Sequence, residues 1–242
     1  MTRQSKPLTA PRMAVRTAII LFLFVSIFTG FLSGAYIWTL PTIKAVEAEE
    51  KMKLISEVLP PSHYDNDLLK DTVQIAPTES LGLDEESTAY RASKKNRPSA
   101  VVLEAVAPDG YAGKIRMLIA LNADGVVLGV RVTQHKETPG LGDYIEPKKD
   151  RNKERPWITQ FNDLAPASID GRQWKVKKDG GRFDSVAGAT VTPRAVIKAV
   201  RNAALYVAAN HEQFFASQED PAKRDSAKRD SAEQGRVKEV GK

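Results

Sequence analysis

The segment Phe183–Val196, FDSVAGATVTPRAV, has small side chains and several hydroxyls and leads into a predicted helix. Its hydroxyls belong to Ser185, Thr190 and Thr192. Small side chains let a bulky group approach the backbone, and the unpaired N–H groups at a helix N-terminus favour anions. This combination predicts a phosphate site. The alternative is a tight strand-to-helix turn in which Thr192 is only the N-cap.

The residues around this segment narrow the ligand class. No Walker lysine and no Gly-x-Gly-x-x-Gly sequence accompany it, so a nucleoside triphosphate or a dinucleotide is disfavoured. Cysteine is absent, which excludes disulfides, zinc–thiolate sites, cysteine nucleophiles, thiolate-bound iron–sulfur clusters and haem on a Cys-x-x-Cys-His motif. A protein of this composition that carries electrons therefore needs an organic cofactor or a haem held in another way.

The overall composition fits one main folded domain. The chain has 242 residues, of which 42% are apolar, and this is enough for one core. The net charge of +6 arises in part from the two ends of the chain. We find no basic groove with interleaved aromatic residues, so the charge does not indicate nucleic-acid binding.

An apolar stretch near the N-terminus predicts a membrane-spanning helix at residues 17–40. It has 24 residues, and about 20 are enough to cross the hydrocarbon core. Basic residues precede it and a Glu-rich sequence follows it. We therefore expect residues 1–16 in the cytoplasm and the main domain in the periplasm, anchored to the inner membrane. A cleaved signal sequence is the alternative, but the apolar run exceeds the roughly 7–15 residues of such a signal.

Two other parts of the chain are predicted to lie outside the main domain. Residues 41–98 are expected to be a stalk and connecting region. In it, a helix at 43–59 follows a break at Pro41 and stops at Pro60-Pro61, and a short helix or strand lies near 68–75. Residues 217–242, in which AKRDS occurs twice in tandem, are predicted to be a disordered charged tail.

Residues 99–216 are predicted to be an α+β domain, in which helices pack on a twisted antiparallel sheet with one covered face. Apolar alternation predicts strands at 99–107, 113–121 and 126–134, with a hairpin turn at 122–125. The last strand is expected to show Val126, Leu128, Val130 and Val132 on one face. Further predicted elements are a short helix at 157–161, possible strands at 169–176 and 182–187, and a helix at 193–215 that begins with Pro193. The apolar stripe of that helix is Val196, Ile197, Val200, Ala204 and Val207.

Three motifs in this domain resemble a known family. Asp184–Thr190 resembles the flavinylation motif Asp-x-x-(Ser/Thr)-Gly-Ala-Thr of FMN-binding domains, with Ala187 where Ser or Thr is usual. His135–Asp143, HKETPGLGD, resembles a second signature of these domains. Gly110–Arg116, GYAGKIR, is similar to the Gly-Tyr-Ser-Gly-x-Ile segment of the G subunits of Rnf (Rsx) electron transport complexes. The resemblance covers the predicted membrane span and most of residues 100–212.

The resemblance implies a covalent flavin and a role in electron transport. FMN would be joined to Thr190 through a phosphoester by a separate flavin transferase that uses FAD and magnesium. The chain would carry electrons among the membrane subunits of a complex that couples transfer between ferredoxin and NAD to ion translocation. No catalytic residue and no metal ligand are implied. The residues expected to contact the cofactor are Glu137, Thr138, Gly140, Leu141, Gly142, Ser185, Gly188, Ala189 and Thr192.

Four other residues receive expectations of their own. For His135 we favour packing or hydrogen bonding, because electron transfer in this family requires no side-chain acid at that position. Trp157 and Trp174 are expected in the core. Asp184 is expected either to assist the transferase or metal, or to hold the turn.

Two alternative functions stay open. One is that of the C subunit of the sodium-translocating NADH:quinone oxidoreductase, against which the Gly-Tyr-Ala-Gly segment argues. The other is a non-redox periplasmic binding or assembly module in which the segment around Thr190 is only a turn.

Overall fold

A long apolar helix forms the N-terminal part of the protein. In the computed structural model, which describes residues 10–165 and 171–216, helix α1 extends from Ala10 to Val58. Its 49 residues correspond to a length of about 73 Å at the usual helical rise. Within the described part of the chain, it is the one helix that is long and apolar enough to span a membrane.

The predicted helix break at Pro41 is wrong, because α1 continues through this proline. Proline removes one backbone donor and crowds the carbonyl four residues earlier. Apolar helices tolerate this cost when nearby hydroxyls and backbone groups adjust. The predicted stop is confirmed, since α1 ends at Val58, just before Pro60.

The chain divides into two compact units, residues 1–51 and 52–242. The second unit is built on a five-stranded antiparallel sheet in the order β1-β2-β3-β4-β5. The strands are β1 Thr72–Ile75, β2 Ser87–Lys94, β3 Arg97–Ala107, β4 Ile115–Asn122 and β5 Val127–Gln134. The last three confirm the predicted strands, and Gly125 (φ +74°) sits in the predicted hairpin turn.

The segment predicted as a stalk and connecting region supplies the other two strands. β1 corresponds to the helix or strand expected near residues 68–75. β2 was not predicted, because its sequence STAYRASK lacks the apolar alternation of a half-buried strand. The charged tail at 217–242 lies outside the described residues.

Helices cover both faces of the sheet, whereas one covered face was expected. On one face lies α2, Val191–Ala209, followed by the short α3, His211–Phe215. The predicted stripe of α2 is confirmed, since all five of its residues are buried. On the other face lies the end of α1, where Ile55, Val58 and Leu59 pack against small side chains of the sheet. Those small residues are Ala92, Ala100 and Ala120.

Gly129 allows the end of α1 to approach β5 closely. A Cβ at Gly129 would lie 2.5 Å from the carbonyl oxygen of Val58, which is shorter than any normal contact. Beside it, Arg131 forms a 2.7 Å ion pair with Glu57. Position 129 therefore requires glycine for packing rather than for its backbone angles.

The predicted face of β5 is wrong in part, because the strand contains a bulge. Gly129 pairs with Ala120 and Val127 pairs with Leu121, so Leu128 is the extra residue. As a result Val127, Val130 and Val132 enter the main core, and Leu128 packs on the α1 side.

The region between β5 and α2 consists mainly of loops and short 3₁₀ helices. The helix predicted at 157–161 is confirmed as Trp157–Phe161. The strands expected at 169–176 and 182–187 are wrong for the described residues, which form Gly171–Gln173, Lys177–Asp179 and a single parallel bridge between Val176 and Phe183. Residues 169 and 170 lie outside the described residues. Packing of Phe161, Trp174 and Phe183 holds this region in place of strand pairing.

Leu59→Ala tests whether the end of α1 belongs to the folded core. Leu59 is 0% exposed, so we expect the free energy of unfolding to fall by about 2–5 kcal/mol. The measurement is urea denaturation of the full chain in detergent, followed by tryptophan fluorescence. Leu54→Ala is the matched control, because Leu54 is 36% exposed and its loss should cost less than about 1 kcal/mol. Equal effects of the two substitutions would contradict this packing.

Candidate functional site

One buried carboxylate joins three loops of the domain. Glu137 is 4% exposed. Its Oε1 accepts a hydrogen bond from the backbone N–H of Ala112 at 3.0 Å, and its Oε2 accepts one from the hydroxyl of Thr192. The loop after β3, the loop after β5 and the first turn of α2 therefore meet at a single side chain.

Two glycines of the motifs make room for this carboxylate. A Cβ at Gly142 would lie 2.8 Å from Glu137 Oε2 and 2.9 Å from Thr192 Oγ1. A Cβ at Gly110 would lie 2.1 Å from the carbonyl oxygen of Gly113 and 3.0 Å from Glu137 Oε1. Both positions therefore exclude larger residues by sterics.

His135 supports the loop that carries Glu137. Its Nδ1 accepts the backbone N–H of Glu137 at 3.0 Å, so its hydrogen resides on Nε2, which donates to Glu146 Oε1 at 2.7 Å. The expected hydrogen-bonding role of His135 is thereby confirmed. Burial opposes ionisation of Glu146, yet hydrogen bonds from His135 and Lys149 and the charge of Lys149 lower its pKa below the ordinary value.

The loop after Glu137 presents Leu141 at the surface. The carbonyl of Thr138 accepts the N–H groups of Leu141 and Gly142 at 3.1 and 3.0 Å. Gly140 has φ +74°, and its N–H donates to the buried Asp143 carboxylate at 2.8 Å. This tight turn leaves the Leu141 side chain exposed.

The segment Asp184–Thr190, here named the threonine segment, is anchored at both ends by its backbone. The indole N–H of Trp157 donates to the Asp184 carbonyl at 2.6 Å, and the hydroxyl of Tyr144 donates to the Ala189 carbonyl at 3.3 Å. Burial raises the pKa of Tyr144 to about 12, so this donor keeps its proton. Between the anchors, Gly188 adopts φ +85°.

The threonine segment lies beside the loop of Leu141. A Cβ built on Gly188 would be 3.7 Å from Leu141 Cδ2, an ordinary van der Waals distance. At the start of the segment the Asp184 carboxylate pairs with Lys177 at 2.5 Å, and the Asp184 N–H donates to Gln160 at 2.9 Å. Of the roles expected for Asp184, these contacts favour the one in which it holds the turn.

The predicted N-cap is wrong by two residues. α2 begins at Val191, so Thr190 occupies the N-cap position and Pro193 is the third helical residue rather than the first. Thr192 cannot cap, because its buried hydroxyl is bound to Glu137. The Thr190 side chain makes no capping hydrogen bond, and its residue is half-buried at the edge of the helix. The predicted helix 193–215 is also divided, because α2 ends at Ala209 before α3 begins.

The structure thus gives the predicted site residues different surroundings. Glu137, Gly142 and Thr192 are buried and in mutual contact, whereas Leu141 and Gly188 face one another at the surface. Ala189 is buried, Ser185 is half-buried, and Thr138 and Gly140 are exposed.

Sequence reasoning missed the anchors of the site and one exposed aromatic residue. Trp157 and Trp174 were expected in the core, and their burial confirms this. The anchoring role of Trp157 was not predicted, and no role was predicted for Tyr144. Tyr111 is 71% exposed beside Ala112, in the loop that Glu137 holds. The Gly-Tyr-Ala-Gly motif was the signal for this loop.

Comparison with known proteins agrees with this geometry. The sequence model of the FMN-binding domain family matches residues 110–205, the interval that contains all three loops. The chain therefore contains an FMN-binding domain.

The relatives define the family more closely. The chain is 40% identical over 202 residues to the G subunit of the ion-translocating oxidoreductase complex of Shewanella baltica (strain OS223), an alignment that covers 84% of this chain and 93% of the relative. It is 43% identical over 208 residues to the G subunit of Pseudomonas aeruginosa (strain UCBPP-PA14), with coverage of 86% and 95%. It is 38% identical over 205 residues to that of Pseudoalteromonas atlantica (strain T6c / ATCC BAA-1087), with coverage of 85% and 93%. The chain belongs to the family of these G subunits, which confirms the resemblance to the Rnf type.

Glu137→Ala tests the carboxylate that joins the loops. The substitution leaves the buried Thr192 hydroxyl without its acceptor and removes the bond to the Ala112 N–H, so we expect the free energy of unfolding to fall by about 2–3 kcal/mol. Glu137→Gln is the matched control, because its amide can accept from Ala112 and donate to the Thr192 oxygen; its cost should stay below about 1.5 kcal/mol. Both values are measured by urea denaturation of the full chain. An equal loss in the two variants would show that charge, not hydrogen bonding, matters at this position.

Proposed function

We propose that FMN is attached to this chain through a phosphoester on the Thr190 hydroxyl. The observation that carries the proposal is the place of Thr190 at the N-cap of α2, with its hydroxyl not used for capping. A phosphate attached there lies at the positive end of the helix dipole, near N–H groups that lack intrahelical partners. Small residues at 187–189 leave space for the rest of the cofactor.

The flavin supplies the redox chemistry when bound, and this chain supplies its placement. Leu141 offers an apolar contact next to Gly188, and the exposed residues Thr138 and Gly140 belong to the same turn. Ser185 and Ala189 lie in the threonine segment itself. For Glu137, Gly142 and Thr192, burial and mutual contact favour a role in holding the loops rather than in touching the ring.

Attachment by a separate flavin transferase agrees with the surroundings of the site. A threonine hydroxyl is a weak nucleophile unless a base activates it. The imidazole of His135, within the neighbouring motif, has one ring nitrogen bound to the Glu137 N–H and the other bound to Glu146. It is therefore committed to the loop and is not available as a base for Thr190.

We further propose that the chain is a membrane-anchored electron carrier within an Rnf-type complex. Its relatives are named as subunits of an ion-translocating oxidoreductase complex, and α1 contains a candidate membrane span. The basic N-terminus would lie in the cytoplasm and the flavin domain in the periplasm. Electrons would pass through this flavin during transfer between ferredoxin and NAD, coupled to ion translocation by the other subunits.

Intact mass of the full chain tests the attachment. After co-expression with a flavin transferase, FAD and magnesium, we expect a gain of one FMN less one water in the wild type and no gain in Thr190→Ala. Thr133→Ala is the matched control, since this exposed threonine lies on β5 outside the three motifs, and it should be modified like the wild type.

Two results would contradict the proposal. One is retention of the added mass in Thr190→Ala. The other is an unmodified wild-type chain when the same transferase modifies a second substrate protein; this result would favour the non-redox module in which the threonine segment is only a turn.

A further inference from the structure

A strongly basic surface lies beside the threonine segment. It consists of Lys175, Lys177, Lys178, Arg182 and Arg194, all exposed. Lys177 reaches the segment itself through Asp184 at 2.5 Å. Arg194, one turn after Thr190, forms two hydrogen bonds to Asp179, at 2.7 and 2.8 Å.

The cations of this surface share few carboxylates. Hydrogen bonding from Arg194 lowers the pKa of Asp179, and the charges of Lys175 and Lys178 lower it further, which shows that these groups surround one acid. Among the residues that the structure describes, Asp184 pairs with Lys177 and Asp179 pairs with Arg194, and this leaves the surface with a net positive charge.

The basic charge is concentrated in one part of the domain sequence. Residues 143–198 contain 12 Lys and Arg against 8 Asp and Glu, whereas residues 52–142 contain 10 against 12. The excess therefore occurs in the part of the chain that builds and surrounds the threonine segment.

Exposed apolar side chains occur in the loops that meet at this site. Tyr111 and Leu141 lie in loops bound to Glu137, Val186 lies within the threonine segment, and Val191 follows it; all four are exposed. An apolar core with a polar rim is the usual composition of a protein-docking surface. In such surfaces the rim charges mainly steer encounter and set its salt dependence.

We propose that this surface docks a protein subunit that presents an acidic patch and exchanges electrons with the flavin. The inference rests on the proposed covalent attachment at Thr190. A tethered flavin cannot leave to meet its redox partner, so the partner must approach the surface around Thr190. A lipid bilayer would match the charges but could not accept the electrons.

Zero-length cross-linking with a carbodiimide tests this docking, because the reagent joins a lysine amine to a carboxylate only when the two are in contact. The sample is the full chain purified with the other subunits of its complex, after intact mass has shown the flavin on Thr190. We expect links from Lys175 or Lys178 to Asp or Glu of another subunit, which 0.5 M salt suppresses. Links between Lys177 and Asp184 and between Lys198 and Asp109, paired at 2.5 and 2.6 Å, are the internal positive controls.

Charge reversal tests the same surface through the rate at which the flavin is reduced in the complex. We expect Lys175→Glu with Lys178→Glu to slow reduction of the flavin in the complex about tenfold at low salt, with the difference shrinking at 0.5 M salt. Lys94→Glu with Arg97→Glu is the matched control. These two residues carry the same charge and are exposed at the opposite end of β3 from the Gly110 loop, about 33 Å away at the usual strand rise.

Several outcomes overturn the proposal, and they differ from one another. A flavin-loaded complex that yields only the internal links, or equal rates for the two double variants, refutes the docking surface and leaves the attachment intact. Links to a second copy of this chain assign a homodimer contact instead. If the lysines of this surface are protected from amine labelling, and only in membranes rich in anionic lipid, the surface binds lipid instead. A chain without flavin at Thr190 refutes the proposed function and the inference together.

Discussion

The arrangement of the site depends on the burial of the Glu137 carboxylate. Removing an ionised carboxylate from water is costly unless hydrogen-bond donors replace the lost solvent. Here the replacements come from the Ala112 N–H and the Thr192 hydroxyl, which belong to two other loops. The three loops must therefore assemble together or leave a buried charge unsatisfied. This constraint also explains why Gly142 has no side chain, since a methyl group there would collide with both Glu137 and Thr192.

The same constraint separates residues that hold the site from residues that face outward. Sequence motifs group Glu137, Leu141, Thr190 and Thr192 without distinguishing them. In the folded chain, the Thr192 hydroxyl donates a hydrogen bond to the Glu137 carboxylate. By contrast, Leu141 is exposed and the Thr190 side chain makes no capping hydrogen bond. Of these four residues, Leu141 and Thr190 are the two that the proposed FMN attachment brings into contact with the cofactor. The motif spacing could not reveal this division, because Glu137 and Thr192 are 55 residues apart and their contact depends on tertiary folding.

The sequence predicted the parts of the fold that carry strong periodicity. β3, β4 and β5 carry long apolar strand sequences and α2 carries an apolar stripe of helical period, so these elements can be recognised from the sequence alone. β2 was missed because it is short of apolar residues. The second covered face was missed because its signal is small side chains, Ala92, Ala100 and Ala120, which become meaningful only when the end of α1 lies on them. The bulge at Leu128 is likewise set by pairing with β4 and shifts the face of β5.

The alanine at position 187 is the one departure from the family motif, and the structure indicates how little the site depends on that side chain. Ala187 is exposed, and its side chain takes no part in the two hydrogen bonds that anchor the segment. The threonine segment is instead held through the carbonyls of Asp184 and Ala189, bound by Trp157 and Tyr144. These bonds use backbone atoms and do not change with the residue at 187. The geometry around Thr190 is therefore set from beneath the segment by the buried aromatic donors Trp157 and Tyr144, and this leaves its outer surface to the proposed partner subunit.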